Sequence, residues 1–373
     1  MPCHHVVERL ARKHRVFYID NFGGIRDIHW HDLARLRMLK KRNDVPAVIH
    51  RQVEGVKVWR PKIIPIPRFP LLQKWNGRHL NQFLRTAIAE TKVERPIIWT
   101  RLPTELVWRA IDGIDRSQLI YQMIDKFPEH PKIAPSLRPR HAKWEQTFAE
   151  SADLIFASAR GLYEEKKLQN PNSHFFPNGA AEIFRQTTRP PVASDRRKVI
   201  GFAGVIGTSL EIDWVVEAAR SLPDFQFVLL GPVDPETDVS ALAALKNVKM
   251  PGRVEHATLP EWFSSFDAAF MAYRENHYQR YTFPSKMAEY LLAGLPVVAR
   301  RNPEIEAYAS VLHVVDSSAD MIQALKVAVE ERFDDTKEAS RKAVGESLSW
   351  DRIVEGMEKV LESGNFNKAE IEN

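Results

Sequence analysis

Residues Phe283–Val298 read FPSKMAEYLLAGLPVV, and the fold of the surrounding chain follows from this run. Pro284 suits the first turn of a helix, Gly294 suits its C-terminal cap, and Pro296 stops it from continuing. Val297 and Val298 then open a buried strand. On the helix, Lys286, Glu289 and Tyr290 stand at i, i+3 and i+4 and share one side. A helix N-terminus offers unpaired N–H groups and the positive end of a dipole, which suits a diphosphate. Lys286 adds a point charge for the same group, and Glu289, one turn on, can accept from ribose hydroxyls. Standing alone, the pattern is better read as a surface Lys–Glu pair contributing about 0.2–0.5 kcal/mol. The G-x-P-V-V sequel and the strand pattern before it, Ala268–Ala272, shift the balance to a binding site.

Outward from this run, short β-rich apolar segments alternate with helical patterns. Strands are expected at Val16–Ile19, Val56–Trp59, Ile97–Trp99, Leu119–Met123, Leu154–Ala157 and His174–Phe176. A second set falls at Val199–Ala203, Phe225–Leu230, Val248–Met250, Ala268–Ala272, Pro296–Ala299 and Val311–Val315. Helical spacing marks His4–Lys13, Leu80–Ala89, Trp144–Glu150, Ile212–Ser221 and Met321–Glu331. Such alternation gives parallel sheets covered by helices on both faces. The polar run Gln186–Lys198, with Pro190-Pro191, reads as a linker between two of them. The expected division is therefore 1–190, 198–348 and a C-terminal helix and tail at 349–373.

Two stretches break the alternation. A helix at His4–Lys13 comes before any strand, whereas a doubly wound sheet opens on one; the first strand is expected to be missing, with the true start upstream of Met1. Arg60–Trp75 (RPKIIPIPRFPLLQKW) holds four prolines, which exclude a helix and a central strand. It reads as an extended connection, or as a loop laying apolar side chains on lipid while Lys62, Arg68 and Lys74 meet phosphates.

The chain has 373 residues, enough for two cores, and a composition of 44% hydrophobic and 27% charged residues, that of a globular protein. No apolar run reaches bilayer-spanning length and no signal peptide opens the chain, so a cytoplasmic protein is expected. One cysteine, Cys3, excludes an internal disulfide framework and a Cys-based zinc cluster. Charge is split: residues 1–200 carry 36 Lys+Arg against 20 Asp+Glu, and residues 201–373 carry 17 against 28. The halves thus face different partners. The basic half suits an anionic membrane surface, giving peripheral attachment to the inner face of the plasma membrane; no nucleic-acid motif accompanies it, so nucleic acid is not expected.

Taken together, VIGFAG (Val199–Gly204), FQFVLLGPV (Phe225–Val233), VKMPGRV (Val248–Val254), LPEWFSSFDAAF (Leu259–Phe270) and the 283–298 run resemble bacterial GT-B glycosyltransferases of the group 1, family 4-like type, particularly those of teichuronic acid and exopolysaccharide synthesis. ADLIFAS (Ala152–Ser158) and FPNG (Phe176–Gly179) extend the resemblance into the first half. It implies an α/β fold of two Rossmann-like, doubly wound domains facing a cleft, with the helix opened by Ser349-Trp350-Asp351 crossing back. It also implies a nucleotide-sugar donor, a glycan or lipid-linked saccharide acceptor, no further cofactor and no metal. Gly204 and Gly207 would line the loop after the second domain's first strand, where backbone approaches phosphate; for Gly207 a plain turn is as good a reading. Gly231 would border the nucleotide, and Arg253 and Val254 the base. Lys286 would bind diphosphate and Glu289 ribose. Many retaining members carry an acidic residue where this chain has Tyr281, and Glu275 is nearby but off register.

In the first half, LIYQMIDKF (Leu119–Phe127) runs a buried strand into Asp125. A carboxylate just past a strand's carboxyl end faces the crevice of an open sheet and could take a proton from an acceptor hydroxyl. The stretch resembles the segment bearing the catalytic Asp of xanthan-type, inverting glucuronosyltransferases; the plain alternative is a solvated loop Asp or a helix cap. His4-His5 and His29/His31 have metal-like spacing without a completing ligand set, and are better read as capping, core or surface histidines. Arg101 and Thr104 fall where a crevice loop should be. Two other functions fit the same fold: a nucleotide-sugar epimerase or hydrolase, and a non-catalytic nucleotide- or glycan-binding module.

Overall fold

The structure, a computed structural model, describes residues 2–19, 56–59, 61, 70–130, 133–188, 196–276 and 278–363. The chain divides into two compact units, Met1–Phe176 and Pro177–Asn373.

In the first unit β1 (Val16–Ile19) pairs with β2 (Val56–Trp59), and β3 (Ile97–Thr100), β4 (Gln118–Met123), β5 (Leu154–Ala157) and β6 (Ser173–Phe175) form a four-stranded sheet in that order. All these pairings are parallel. β4 and β5 are buried at every position, as strands covered on both faces must be. Helices Glu105–Ile111, Arg138–Ser151 and Arg160–Lys167 make the crossovers. The helix expected over Leu80–Ala89 is longer, Pro70–Thr91, and takes in the end of the proline-rich segment. Pro70 is tolerated because it stands in the first turn, where its missing N–H has no partner to lose. Lys62 and Arg68 lie outside the described residues.

The second unit holds β7 (Val199–Ala203), β8 (Gln226–Leu230), β9 (Val248–Gly252), β10 (Ala268–Met271), β11 (Val297–Arg300) and β12 (His313–Val315). They make one parallel sheet in the order β12-β11-β10-β7-β8-β9. Side chains alternate between two cores: Ile200, Phe202, Ala268 and Phe270 enter one, Ala203, Ala269 and Met271 the other. Such an order has a switch point between β7 and β10, outside whose carboxyl ends ligands bind in sheets of this kind. Buried Asp267 fixes the start of β7 by accepting from the Val199 N–H and from Arg196, both at 2.6 Å.

Residues 177–188, assigned to the first half by the polar linker, pack with the second unit. Ala180 donates to the Leu348 carbonyl and accepts from the Trp350 N–H, at 2.9 and 3.1 Å. Ala180 and Phe184 are fully buried in the same core as the 285–292 helix. Arg185 grips Glu346 through two bonds of 2.7 Å. Burial of Phe184 decides the allegiance of the segment; the composition of the following run does not. The helix Trp350–Ser363 belongs to this unit.

Candidate functional site

The helix Ser285–Leu292 follows β10 and begins at Pro284, which makes no side-chain cap; only its carbonyl is used, accepting from Met287 N–H at 2.8 Å. Gly294 at φ +76° turns the chain out of the helix, and a side chain there would also press on Glu338 and Lys342. Six of the helix's eight residues are buried. This rigidity fixes the polar side.

Lys286 Nζ donates to Glu289 Oε2 at 2.5 Å, and His256 Nε2 stands 3.4 Å from Glu289 Oε1. The Glu289 side chain is 9% exposed, Lys286 23% and His256 50%. Burial pushes the Glu289 carboxyl up, but the Lys286 charge and the His256 hydrogen bond outweigh it and hold it below its usual value. Glu289 is therefore an ionised acceptor. An ammonium has three donors, so Lys286 keeps capacity for an anion beside the helix end. Tyr290, fully buried, accepts from the Ala203 N–H at 2.7 Å and so holds the carboxyl end of β7 to this helix. Tyr273, after β10, is pushed up to about 12 by burial and then by the Glu289 charge, and stays a neutral phenol.

Gly204 follows β7, and its N–H donates to Leu230 O at 2.9 Å. Gly231 follows β8 with φ +139°; a Cβ there would lie 1.8 Å from Gly204 O. The two loops thus meet backbone on backbone. Gly207 is looser, its nearest atom being Asp234 Cβ at 3.3 Å from where a methyl would stand. Arg253 is exposed and Val254 half-buried against the core, both just after β9. All seven residues expected at a donor thus occupy the carboxyl ends of β7, β8 and β9 or the helix after β10. Tyr281 lies in a short turn, and Glu275 is tied to Arg280 at 3.0 Å on the surface.

Asp125 lies two residues past β4 and is half-buried in the first unit. Its neighbour Lys126 is anchored to Glu165 at 2.8 Å and Glu129 at 3.4 Å, and the Ile124 carbonyl accepts from Ser158 Oγ at 2.7 Å. Thr104 is a cap, accepting from Val107 N–H, while the buried Arg101 Nε has no hydrogen-bond partner among the described residues. His4 packs edge-on to Tyr18; His29 and His31 lie outside the described residues. Among the described residues no three His, Cys, Asp or Glu side chains gather as a metal site. His256 was invisible to spacing, because it reaches the helix from the loop after β9.

A parallel sheet of this order, with glycines in the loops after β7 and β8 and a helix end that no side chain caps, defines a doubly wound α/β unit of Rossmann-like type. Residues 197–331 match the family model described as Glycosyl transferases group 1. A curated relative from Bacillus subtilis (strain 168), named "Putative teichuronic acid biosynthesis glycosyltransferase TuaH", is 29% identical over 216 residues, 54% of each chain. The match thus spans about half the length of that relative. Among solved structures, an α,α-trehalose-phosphate synthase (UDP-forming) from Burkholderia vietnamiensis aligns over 94% of this chain and 100% of its own, with a TM-score of 0.63 and 13% identity. Anabaena HepE, in complex with UDP and glucose, aligns over 94% and 99%, with a TM-score of 0.61 and 14% identity. The fold is GT-B. No helix among the described residues is long and apolar enough to cross a membrane.

Proposed function

We propose that this chain is a metal-independent glycosyltransferase, moving a sugar from a nucleotide-diphosphate donor to a glycan or lipid-linked saccharide in cell-envelope or exopolysaccharide synthesis, at the cytoplasmic face of the membrane. One observation carries it: the uncapped N-terminus of the 285–292 helix, with Lys286 and an ionised Glu289 on its open side. The helix end and Lys286 stabilise the charge that collects on the diphosphate as its bond to the anomeric carbon breaks. Glu289 accepts from ribose hydroxyls, with His256 orienting it. The loops at Gly204, Gly207 and Gly231 approach the phosphates, and Arg253 and Val254 flank the base. Asp125 takes the proton of the acceptor hydroxyl as that oxygen attacks the anomeric carbon from the face opposite the departing diphosphate, and this backside displacement gives inversion.

The HepE complex with UDP and glucose, and the wall-polymer name of the Bacillus relative, support this choice of donor and acceptor class. Thermal-shift measurements with nucleoside diphosphates and their sugars test the donor site. One nucleotide should stabilise the wild type and do so less in Lys286→Ala and Glu289→Ala. Equal stabilisation of all three proteins would remove both residues from the site.

A further inference from the structure

The helix Pro70–Thr91 presents an unusual outer face. Leu71 is 79% exposed and Trp75 52%, one turn apart, with the Trp75 ring stacked on His79 at 5.4 Å. On the same stretch Lys74 and Arg78 are exposed, and neither makes an ion pair among the described residues. Beside them is an open depression of ≈ 370 Å³ lined by Lys74, Arg78, Asn81, Arg109 and Asp112. Asn81 builds its wall by donating to the carbonyls of Ala110 and Asp112, at 2.9 and 2.8 Å. Arg109 is already held by Glu105 at 2.9 Å, so Lys74 and Arg78 are the cations left to meet a partner.

We propose that this face docks on an anionic lipid bilayer: Leu71 and Trp75 enter the headgroup–acyl boundary while Lys74 and Arg78 bind lipid phosphates at the mouth of the depression. An indole with an apolar neighbour and cations at i+3 and i+4 spacing suits the interfacial zone, where rings sit at headgroup depth and ammonium and guanidinium groups reach phosphate. A protein partner would bury such a face against matching carboxylates; a bilayer needs only negative charge and a boundary to dip into, which is what two apolar tips and two unpaired cations supply. The inference deepens the membrane part of the proposed function and is independent of its chemistry.

The test is co-sedimentation of the full chain with vesicles of phosphatidylcholine alone or mixed with phosphatidylglycerol. Binding should need the anionic lipid. Each cation lost should weaken it about fivefold, so Lys74→Gln/Arg78→Gln should bind roughly 25-fold more weakly. Leu71→Ser/Trp75→Ser should lower it by at least about tenfold. Lys246→Gln/Lys249→Gln, which removes two exposed cations from the second unit, should bind as wild type. Circular dichroism checks that each variant is folded; all changed side chains are exposed, so all should be. Equal binding to both vesicle types, an equal loss in the Lys246/Lys249 variant, or unaltered binding by both helix variants would overturn the proposal. A self-association abolished by Leu71→Ser/Trp75→Ser would assign the face to a second copy and also overturn it. No nucleotide enters this assay, so its failure leaves the donor site standing, and failure of nucleotide stabilisation leaves the docking face standing.

Discussion

Replacing Gly231 by alanine tests how the loops after β7 and β8 are built. The new methyl would stand 1.8 Å from Gly204 O and 2.8 Å from Gly204 C, both backbone atoms that no rotamer change can move. Carbon–oxygen contacts settle near 3.3 Å, so the loops must part by about 1.5 Å. Overpacking of this kind costs about 1–3 kcal/mol, and a φ of +139° adds a further ~1–3 kcal/mol for a residue with a side chain. The expected loss is about 2–6 kcal/mol, a large part of the roughly 5–15 kcal/mol a domain commands. Gly252 supplies the control: its φ is +83°, but nothing lies within 4 Å of an added methyl. Gly252→Ala should cost only about 1–2 kcal/mol. Urea unfolding, followed by hydrogen exchange at β7 and β8 amides, reads the second unit without averaging over the first. If the two variants agree within about 0.5 kcal/mol, the close approach of Gly231 to Gly204 is not what the glycine is for.

Tyr290→Phe should cost about 1–3 kcal/mol in the same assay, because the buried Ala203 N–H loses its acceptor at 2.7 Å. The Glu289 carboxyl has a folded-state pKa below the ordinary 4.5, so its contribution to stability is complete above that value and is lost as pH falls through the lowered one. The gap in urea midpoint between wild type and Glu289→Gln should therefore be constant near neutrality and narrow only below about pH 4.5; narrowing between pH 5 and 7 would contradict an ionised, cation-held carboxylate. Asp125→Asn should leave nucleotide stabilisation intact and slow sugar transfer by about 100-fold or more, measured as nucleoside diphosphate released with acceptor present. An unslowed variant would return Asp125 to an ordinary loop position.

Strand patterns were legible because the sheet interior imposes them. Val199–Ala203, Leu154–Ala157 and Val56–Trp59 begin and end where apolar, β-branched composition says they should. The 283–298 run was legible for a different reason: proline and glycine mark its ends through backbone constraints that are local to each residue. What sequence could not give was long-range. The start of the 70–91 helix was hidden because a proline forbidden mid-helix is welcome in a first turn. The Glu289–His256 contact joins the 285–292 helix to the loop after β9, and the Ala203–Tyr290 bond links residues 87 apart in sequence; no local periodicity encodes either. The missing carboxylate at Tyr281 was visible, and the off-register Glu275 stands in an exposed ion pair with Arg280.

The short segment ahead of the charged linker has a practical consequence for taking the molecule apart. Phe184 stacks on Phe263 at 5.2 Å and meets the edge of the His256 ring at 5.5 Å. Since His256 in turn stands against Glu289, a fragment starting at Lys198 would lack the Phe184 ring that the His256 imidazole packs on. Severing the polypeptide between Phe176 and Pro177 instead keeps that ring, and only such a piece offers a fair measure of nucleotide affinity by the isolated second half.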